Sequence, residues 1–187
     1  MQNRQTSYRV GDYIAYEYGG TLFPETVILR EEVTGQMGQE LTIAVSVRRG
    51  TAEKRWIQVV TDTPENQRNN VTDALYEVVN DNSKRLENTH TEVLRLYEWV
   101  LPPSGKDHGK TREVKREVQL SPKVLIPVKC LVGLEEIDGR TIRREYCTSR
   151  HFLWTNISST YTDTKNGEVL YYMKILTWGN SCAAYRA

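Results

Sequence analysis

The sequence predicts an all-β fold: an antiparallel meander of hairpins forming a curved sheet or half-barrel, with one short helix near residues 89–100. Three observations carry this reading. First, Gly19-Gly20, Asp138-Gly139 and Asn166-Gly167 separate strand-like runs. Such pairs favour two-residue hairpin turns, which need positive φ at their central positions. Second, the runs between turns alternate apolar and polar residues. In ELTIAVSV, Leu41, Ile43, Val45 and Val47 fall on one face at period two. Third, 11 Tyr and 4 Trp stand against only 2 Phe, a balance that suits strand surfaces with polar tips better than an oily helical core. At 187 residues the chain has the length of one domain with a real core, read as 1–187 with frayed tails at 1–7 and 180–187.

Taken in order, YRVGDYIAYEY reads as a strand ending at Gly19-Gly20, and TLFPETVILREEV (21–33) as its return, with Pro24 marking an edge or a bulge. Residues 34–38 (TGQMG) read as a loop, ELTIAVSV as the third strand, and KRWIQVVTD (54–62) as the fourth. DTPENQRNN (62–70) is a polar connector. DALYEVV and KRLEN then flank a turn at Asn80-Asp81-Asn82-Ser83. THTEVLRLYEWVLPP breaks the β pattern, because Val93, Leu94, Leu96, Tyr97 and Val100 approximate a helical stripe. Thr89 or Thr91 supplies an N-cap and Pro102-Pro103 a stop. This helix is expected to lie across the sheet, with Leu94, Leu96 and Tyr97 packed and Arg95 and Glu98 facing water. SGKDHGK (104–110) reads as a mobile loop, and REVKREVQL as a charged strand at a sheet edge, where Lys and Arg discourage aggregation.

The stretch 124–149 is the centre of the reading. With Asp138 and Gly139 as loop residues, Cys130 falls directly opposite Cys147 in a non-hydrogen-bonded pair. Cα atoms there approach to roughly 4.5 Å, within disulfide range. A bulge at Gly133 would shift that register by one. The last hairpin turns at Asn166-Gly167, and a two-residue loop there sets Tyr161 opposite Tyr172 and Ile157 opposite Leu176. A Cys130–Cys147 bridge leaves Cys182 free and favours a periplasmic or extracellular setting.

Charge carries little information. The net charge is +1, from 25 basic and 24 acidic residues, which points to no nucleic-acid partner. Lys106, Lys110, Arg112, Lys115 and Arg116 cluster, but Asp107, Glu113 and Glu117 nearly cancel them. No apolar run reaches the ~20 residues of a membrane span. MQNRQTSYR carries no signal-peptide pattern, so a cytoplasmic protein and the mature part of an exported one both fit.

The catalytic and metal readings fail one by one. Cys130, Cys147, Cys182 and His151 hold zinc-type donors, yet without CxxC or HxxxH spacing. Cys147 and His151, four apart on a strand, stand ~13 Å from each other. No G-x-S-x-G elbow or phosphate-binding glycine loop occurs. Glu31-Glu32 and Glu135-Glu136 are adjacent on strands, so their carboxylates point to opposite faces. The expectation is therefore no catalytic residue, no metal and no cofactor. Core packing accounts for most aromatics; the functional alternative is a concavity under the helix lined by Trp56, Tyr97, Trp99 and Tyr172 for an apolar ligand.

Two stretches, YRVGDYIAYEY at the start and the late strand ending in KILTWG, resemble small bacterial cell-envelope proteins, the β-rich half-barrels of the LolA-like and LppX-like type. The resemblance implies a periplasmic or lipoprotein-type domain with a curved antiparallel sheet and a helical lid, binding lipid or a partner. The leading expectation is a non-enzymatic cell-envelope binding domain for an apolar ligand or a protein partner. The alternative is a structural, assembly-forming protein whose sheet edges pair with other copies.

Overall fold

The structure, a computed structural model, describes residues 8–63, 65–66, 71–87, 89–107, 111–150, 152 and 154–182. Twelve strands and a helix follow one another: β1 (Asp12–Gly19), β2 (Val27–Met37), β3 (Glu40–Arg49), β4 (Ala52–Thr61), β5 (Ala74–Val79), β6 (Asn82–Leu86), α1 (His90–Tyr97), β7 (Lys106–Asp107), β8 (Arg112–Ser121), β9 (Val124–Ile137), β10 (Arg140–Thr148), β11 (Asn156–Asp163) and β12 (Val169–Asn180). Hydrogen bonding orders them β6-β5-β4-β3-β2-β1-β12-β11-β10-β9-β7, with β8 also on β9. The fold is the antiparallel meander expected, and its order is open at both ends. The first and last strands meet in the middle: Ser181 N–H bonds the Gly11 carbonyl and Thr21 N–H the Val169 carbonyl, so β1 and β12 run antiparallel. Two-residue turns join β2 to β3, β3 to β4, β5 to β6, β8 to β9 and β9 to β10, whereas residues 62–73 separate β4 from β5 and the helix lies between β6 and β7.

Packing divides the chain into two compact units. One holds Tyr16–Thr26 and Pro102–Leu176; the other holds Tyr8–Ala15, Val27–Leu101 and the segment from Thr177.

In the second unit, β2 to β6 form a regular meander. Residues 34–37 are strand rather than the expected loop. A bulge between Val33 and Gly35 absorbs the extra residue, which lets β2 stay paired with β3 to the turn at Gly38, where φ is +63°. The Asn80 loop is shorter than expected. Asn80 and Asp81 both take positive φ, 50° and 62°, and Val79 pairs directly with Asn82, the geometry of a two-residue hairpin that Asn and Asp tolerate. Helix α1 starts at Thr89, whose Oγ1 accepts from Glu92 N–H at 3.2 Å. Leu96 and Val100 are buried, whereas Leu94 is 38% exposed, so the packed stripe is Val93–Leu96–Val100 and Leu94 faces outward. Arg95 and Glu98 are not free in water either. Arg95 bonds Glu77 and Glu92 at 3.0 Å each, and Lys54 pairs with Glu98 and donates to the Arg95 carbonyl. Asn180 and Ser181, read as tail, are bonded in: Asn180 Nδ2 donates to Asp12 at 2.7 Å and Ser181 Oγ to Glu32 at 2.7 Å.

In the first unit, the register of the β9–β10 hairpin is the one read from Asp138-Gly139. Arg140 pairs with Ile137, Arg144 with Gly133 and Cys147 with Cys130, without a bulge. Cys130 and Cys147 form a disulfide with Cα atoms 4.0 Å apart, packed with Ile126, Val128 and Ile157. Cys182, in the other unit, is free and exposed. Pro127 sits inside β9 at no cost to the ladder, because β10 has ended beside it; its carbonyl accepts from Ser149 Oγ at 2.6 Å.

Three local expectations are corrected in this unit. The return strand starts at Val27, not residue 21, because Thr21 and Leu22 donate their N–H groups to Val169 and Leu170 at 3.1 Å. Gly20 allows this bend, with φ +121° and the Leu170 carbonyl where a side chain would stand. The last hairpin sets Tyr161 opposite Tyr171 and Ser158 opposite Lys174, because its turn is wider than two residues. Asp163 N–H bonds the Glu168 carbonyl, Gly167 N–H bonds the Asp163 carbonyl, and a further shift follows Tyr161. Finally, Lys106 and Asp107 of the expected loop form β7 against Glu136 and Glu135; residues 108–110 lie outside the described ones.

The disulfide staples strands that are already neighbours, and its partners are 17 residues apart. Replacing both cysteines by alanine is therefore expected to cost at most about 3 kcal/mol in urea unfolding, with the fold retained. Loss of the cooperative transition would show that the bond holds the strands together rather than trimming the unfolded state.

Candidate functional site

The four aromatic positions of the expected ligand lining fall in different surroundings. Trp56 is 1% exposed and meets Tyr97 edge to face, with centroids 4.8 Å apart at 78°. The Tyr97 hydroxyl accepts from Gln58 Nε2 at 2.7 Å. Trp99, half-buried, carries Arg49 and Lys54 over its ring at 4.6 Å each. Tyr172 belongs to the other unit, where its hydroxyl donates to Glu17 at 2.7 Å and Lys174 stands over its ring at 5.3 Å. Trp56 and Tyr97 are thus brought together as a packed pair. The sequence did not single out Glu31 for this region. Although the residue keeps part of its surface, its carboxyl is enclosed and burial pushes it up to about 7. Burial, with the Glu31 charge adding to it, holds the Tyr97 and Tyr8 hydroxyls well above the usual tyrosine range.

The other candidate is the outer edge of the first unit. In a two-residue hairpin the flanking pair is hydrogen-bonded and pairs alternate from there, so odd residues of β9 bond β10 and even ones bond β8. Cys130 pairs with Val114, Val128 with Arg116 and Ile126 with Val118. Glu113, Lys115, Glu117 and Gln119 therefore aim their backbone N–H and C=O groups away from β9. Among the described residues no strand takes them up. Their side chains share a face with Leu125, Pro127, Lys129 and Leu131, of which Leu125 is 57% and Leu131 42% exposed.

A groove of about 460 Å³ beside this face is lined by Glu113, Lys115, Arg116, Pro127, Val128, Lys129, Thr148, Ser149 and Arg150. Lys129 bonds Glu113 at 2.6 Å and holds its carboxyl below the usual range. Arg116 pairs with Glu145, which also takes Arg143 at 2.9 Å. Among the described residues, Lys115 and Arg150 make no ion pair, so the groove keeps a positive surplus. Such a surface can hold a carboxylate or another anionic group, and the strand edge can hold an extended backbone. Cys130, Glu145 and Cys147 bring ligand-type atoms within 4.8 Å of one another, but the two sulfurs are joined and offer no thiolate.

Reading the sequence located the edge strand but not the groove. Along the chain, Glu113 and Glu117 cancel Lys115 and Arg116. Only the sheet adds Lys129 and Arg150 to the same place, and nothing in the linear spacing announces that.

No helix of the described residues is long and apolar enough to cross a membrane. No family model matches the chain, and no curated protein sequence matches it. Among solved structures, the chain is similar to a candidate exported protein with a YmcC-like fold from Bacteroides fragilis. That match has 9% identity and a TM-score of 0.43, and covers 92% of this chain and 97% of that one. It is also similar to a hypothetical protein from Chlamydia trachomatis, at 10% identity and a TM-score of 0.45, covering 92% of this chain and 88% of that one. Neither is named as a LolA-like or LppX-like protein.

Proposed function

We propose that this chain is a non-enzymatic extracytoplasmic interaction domain that receives its partner along the free edge of β8 and on the cationic face beside it. The observation that carries the reading is the row of outward backbone groups from Glu113 to Gln119, bordered by a groove in which Lys115 and Arg150 make no ion pair among the described residues. Exposed strand edges are usually covered or blunted, because they template pairing with another chain. Lys115 is the kind of residue that blunts one, but a ten-residue edge flanked by exposed Leu125 and Leu131 also offers backbone bonds and apolar contact together. The Cys130–Cys147 bond supports an oxidising compartment, where such bonds persist. The edge-to-face packing of Trp56 on Tyr97 supports a partner at the surface rather than beneath the helix.

The test uses Cys182→Ser protein carrying a single new cysteine, at Met37 or at Lys115, and a membrane-impermeant maleimide. Met37 is 75% exposed. In purified, dilute protein both positions are expected to label. In spheroplasts with an intact inner membrane, Met37→Cys is expected to label and Lys115→Cys to be shielded. Labelling of Met37→Cys only after lysis would refute the location, and equal labelling at both sites in spheroplasts would refute the docking edge.

A further inference from the structure

The charge pattern of β8 reads as its own complement. Resting on the docking edge described above, we infer that the partner there is a second copy of this chain, joined by antiparallel β8–β8 pairing about a two-fold axis at Arg116. Two such edges bond only when outward-facing residues meet outward-facing residues, which restricts the axis to a residue position rather than a point between residues. Four positions of the axis can be compared.

An axis at Lys115 sets that lysine against its image and Glu113 against the partner's Glu117, like charges all along that face, and Val114 against the partner's Arg116 on the other. An axis at Glu117 sets Glu117 against its image and Arg116 against the partner's Val118. An axis at Val114 pairs Lys115 with the partner's Glu113, but over a shorter overlap and with Arg116 against the partner's Arg112.

The axis at Arg116 behaves differently. It places Lys115 opposite the partner's Glu117 on one face and Val114 opposite the partner's Val118 on the other, each contact occurring twice by symmetry. The overlap uses the regular part of β8, which ends before the shift between Gln119 and Ser121. Val114 and Val118 are only half-buried in the single chain, and Val118 packs against the core around the disulfide. The pairing would close that core at its open side. One like-charge contact remains, Arg116 with its image, and each arginine is held by Glu145 of its own chain. Lys115, without an ion pair among the described residues, gains one. A two-fold contact of this kind is self-limiting, because each β8 edge is used up in the dimer.

Sedimentation equilibrium of the full chain in a Cys182→Ser background tests this. The parent is expected to dimerise. Lys115→Glu and Glu117→Lys singly replace two attractive cross-strand pairs by two repulsive ones, and each is expected to weaken the dimer on the order of tenfold. The double variant Lys115→Glu/Glu117→Lys restores both opposite-charge pairs of the Arg116 register and is expected to recover most of the parent affinity. Unchanged thermal unfolding of the dissociated chains excludes a folding defect. A parent that stays monomeric at every concentration, or a double variant no better than the singles, overturns the inference. A monomeric parent combined with shielding of Lys115→Cys in spheroplasts would assign the edge to a different protein and leave the surface reading standing.

Discussion

Leu96→Ala is expected to lower the free energy of unfolding by about 2–5 kcal/mol, the range for truncating a buried leucine, and Leu94→Ala by less than about 1 kcal/mol. Both leucines lie on the same eight-residue helix and differ only in where the helix turns them. Leu96 is 1% exposed, on the face that also carries Val100 at 5%. Leu94 points away. The orientation is fixed from both sides, by Tyr97 against Trp56 and Gln58 and by the ion pairs of Arg95 and Glu98 with sheet residues Glu77 and Lys54. A short helix is marginal by itself and takes its stability from the face it buries, so a void under Leu96 has little chance to collapse. Urea unfolding of the two variants checks this. Similar losses at both positions would mean that the helix is not held in this rotation.

Glu31→Gln is expected to abolish a pH dependence of stability and to make the protein more stable above neutrality. The Glu31 carboxyl sits at about 7 in the folded chain, raised by burial from the ordinary value of 4.5. A group whose pKa rises on folding stabilises fully below its unfolded pKa, and that contribution is lost as pH rises through its folded pKa. Stability from Glu31 is therefore complete below about pH 4.5, falls between there and pH 7, and is gone above. The full swing is roughly 3 kcal/mol at 1.36 kcal/mol per pKa unit. Glutamine keeps the size and the hydrogen-bonding capacity of the neutral acid but cannot ionise. At pH 8 the variant should exceed the parent, and at pH 4 the two should be close. The comparison is urea unfolding of both proteins across that range; a parent-minus-variant difference that does not change with pH would remove Glu31 from this role.

Much of the hairpin geometry was legible in residues adjacent along the chain. Asp138-Gly139 set the pairing of β9 with β10, and with it the disulfide, because a two-residue turn leaves no freedom in register. Thr89 marked the start of the helix for the same local reason, since a cap acts within one turn; the helix ends at Tyr97, short of the expected residue 100 and of Pro102-Pro103. Where a second, remote strand competed for the same backbone groups, local reading went astray. Thr21 and Leu22 look like the start of β2, yet their N–H groups are taken by Val169 and Leu170. The Asn166-Gly167 pair looks like a tight turn, but Asp163 and Glu168 close a wider one, and the register of Tyr161 moves with it.

The candidate site follows the same division. That REVKREVQL is a charged edge strand was readable from its composition, and its alternation is enough to place Lys115 and Glu117 on one face. That no described strand covers its outer backbone, that Lys129 and Arg150 join Lys115 beside it, and that Glu31 is enclosed near Tyr97 were decided only by tertiary structure. The sequence by itself determined most of the strands and the register of the β9–β10 hairpin, because turn geometry and side-chain alternation are local. Which edge stays open, which leucine turns inward and which carboxyl loses its water depend on residues far along the chain arriving at the same place, and burial and charge balance exist only once they have.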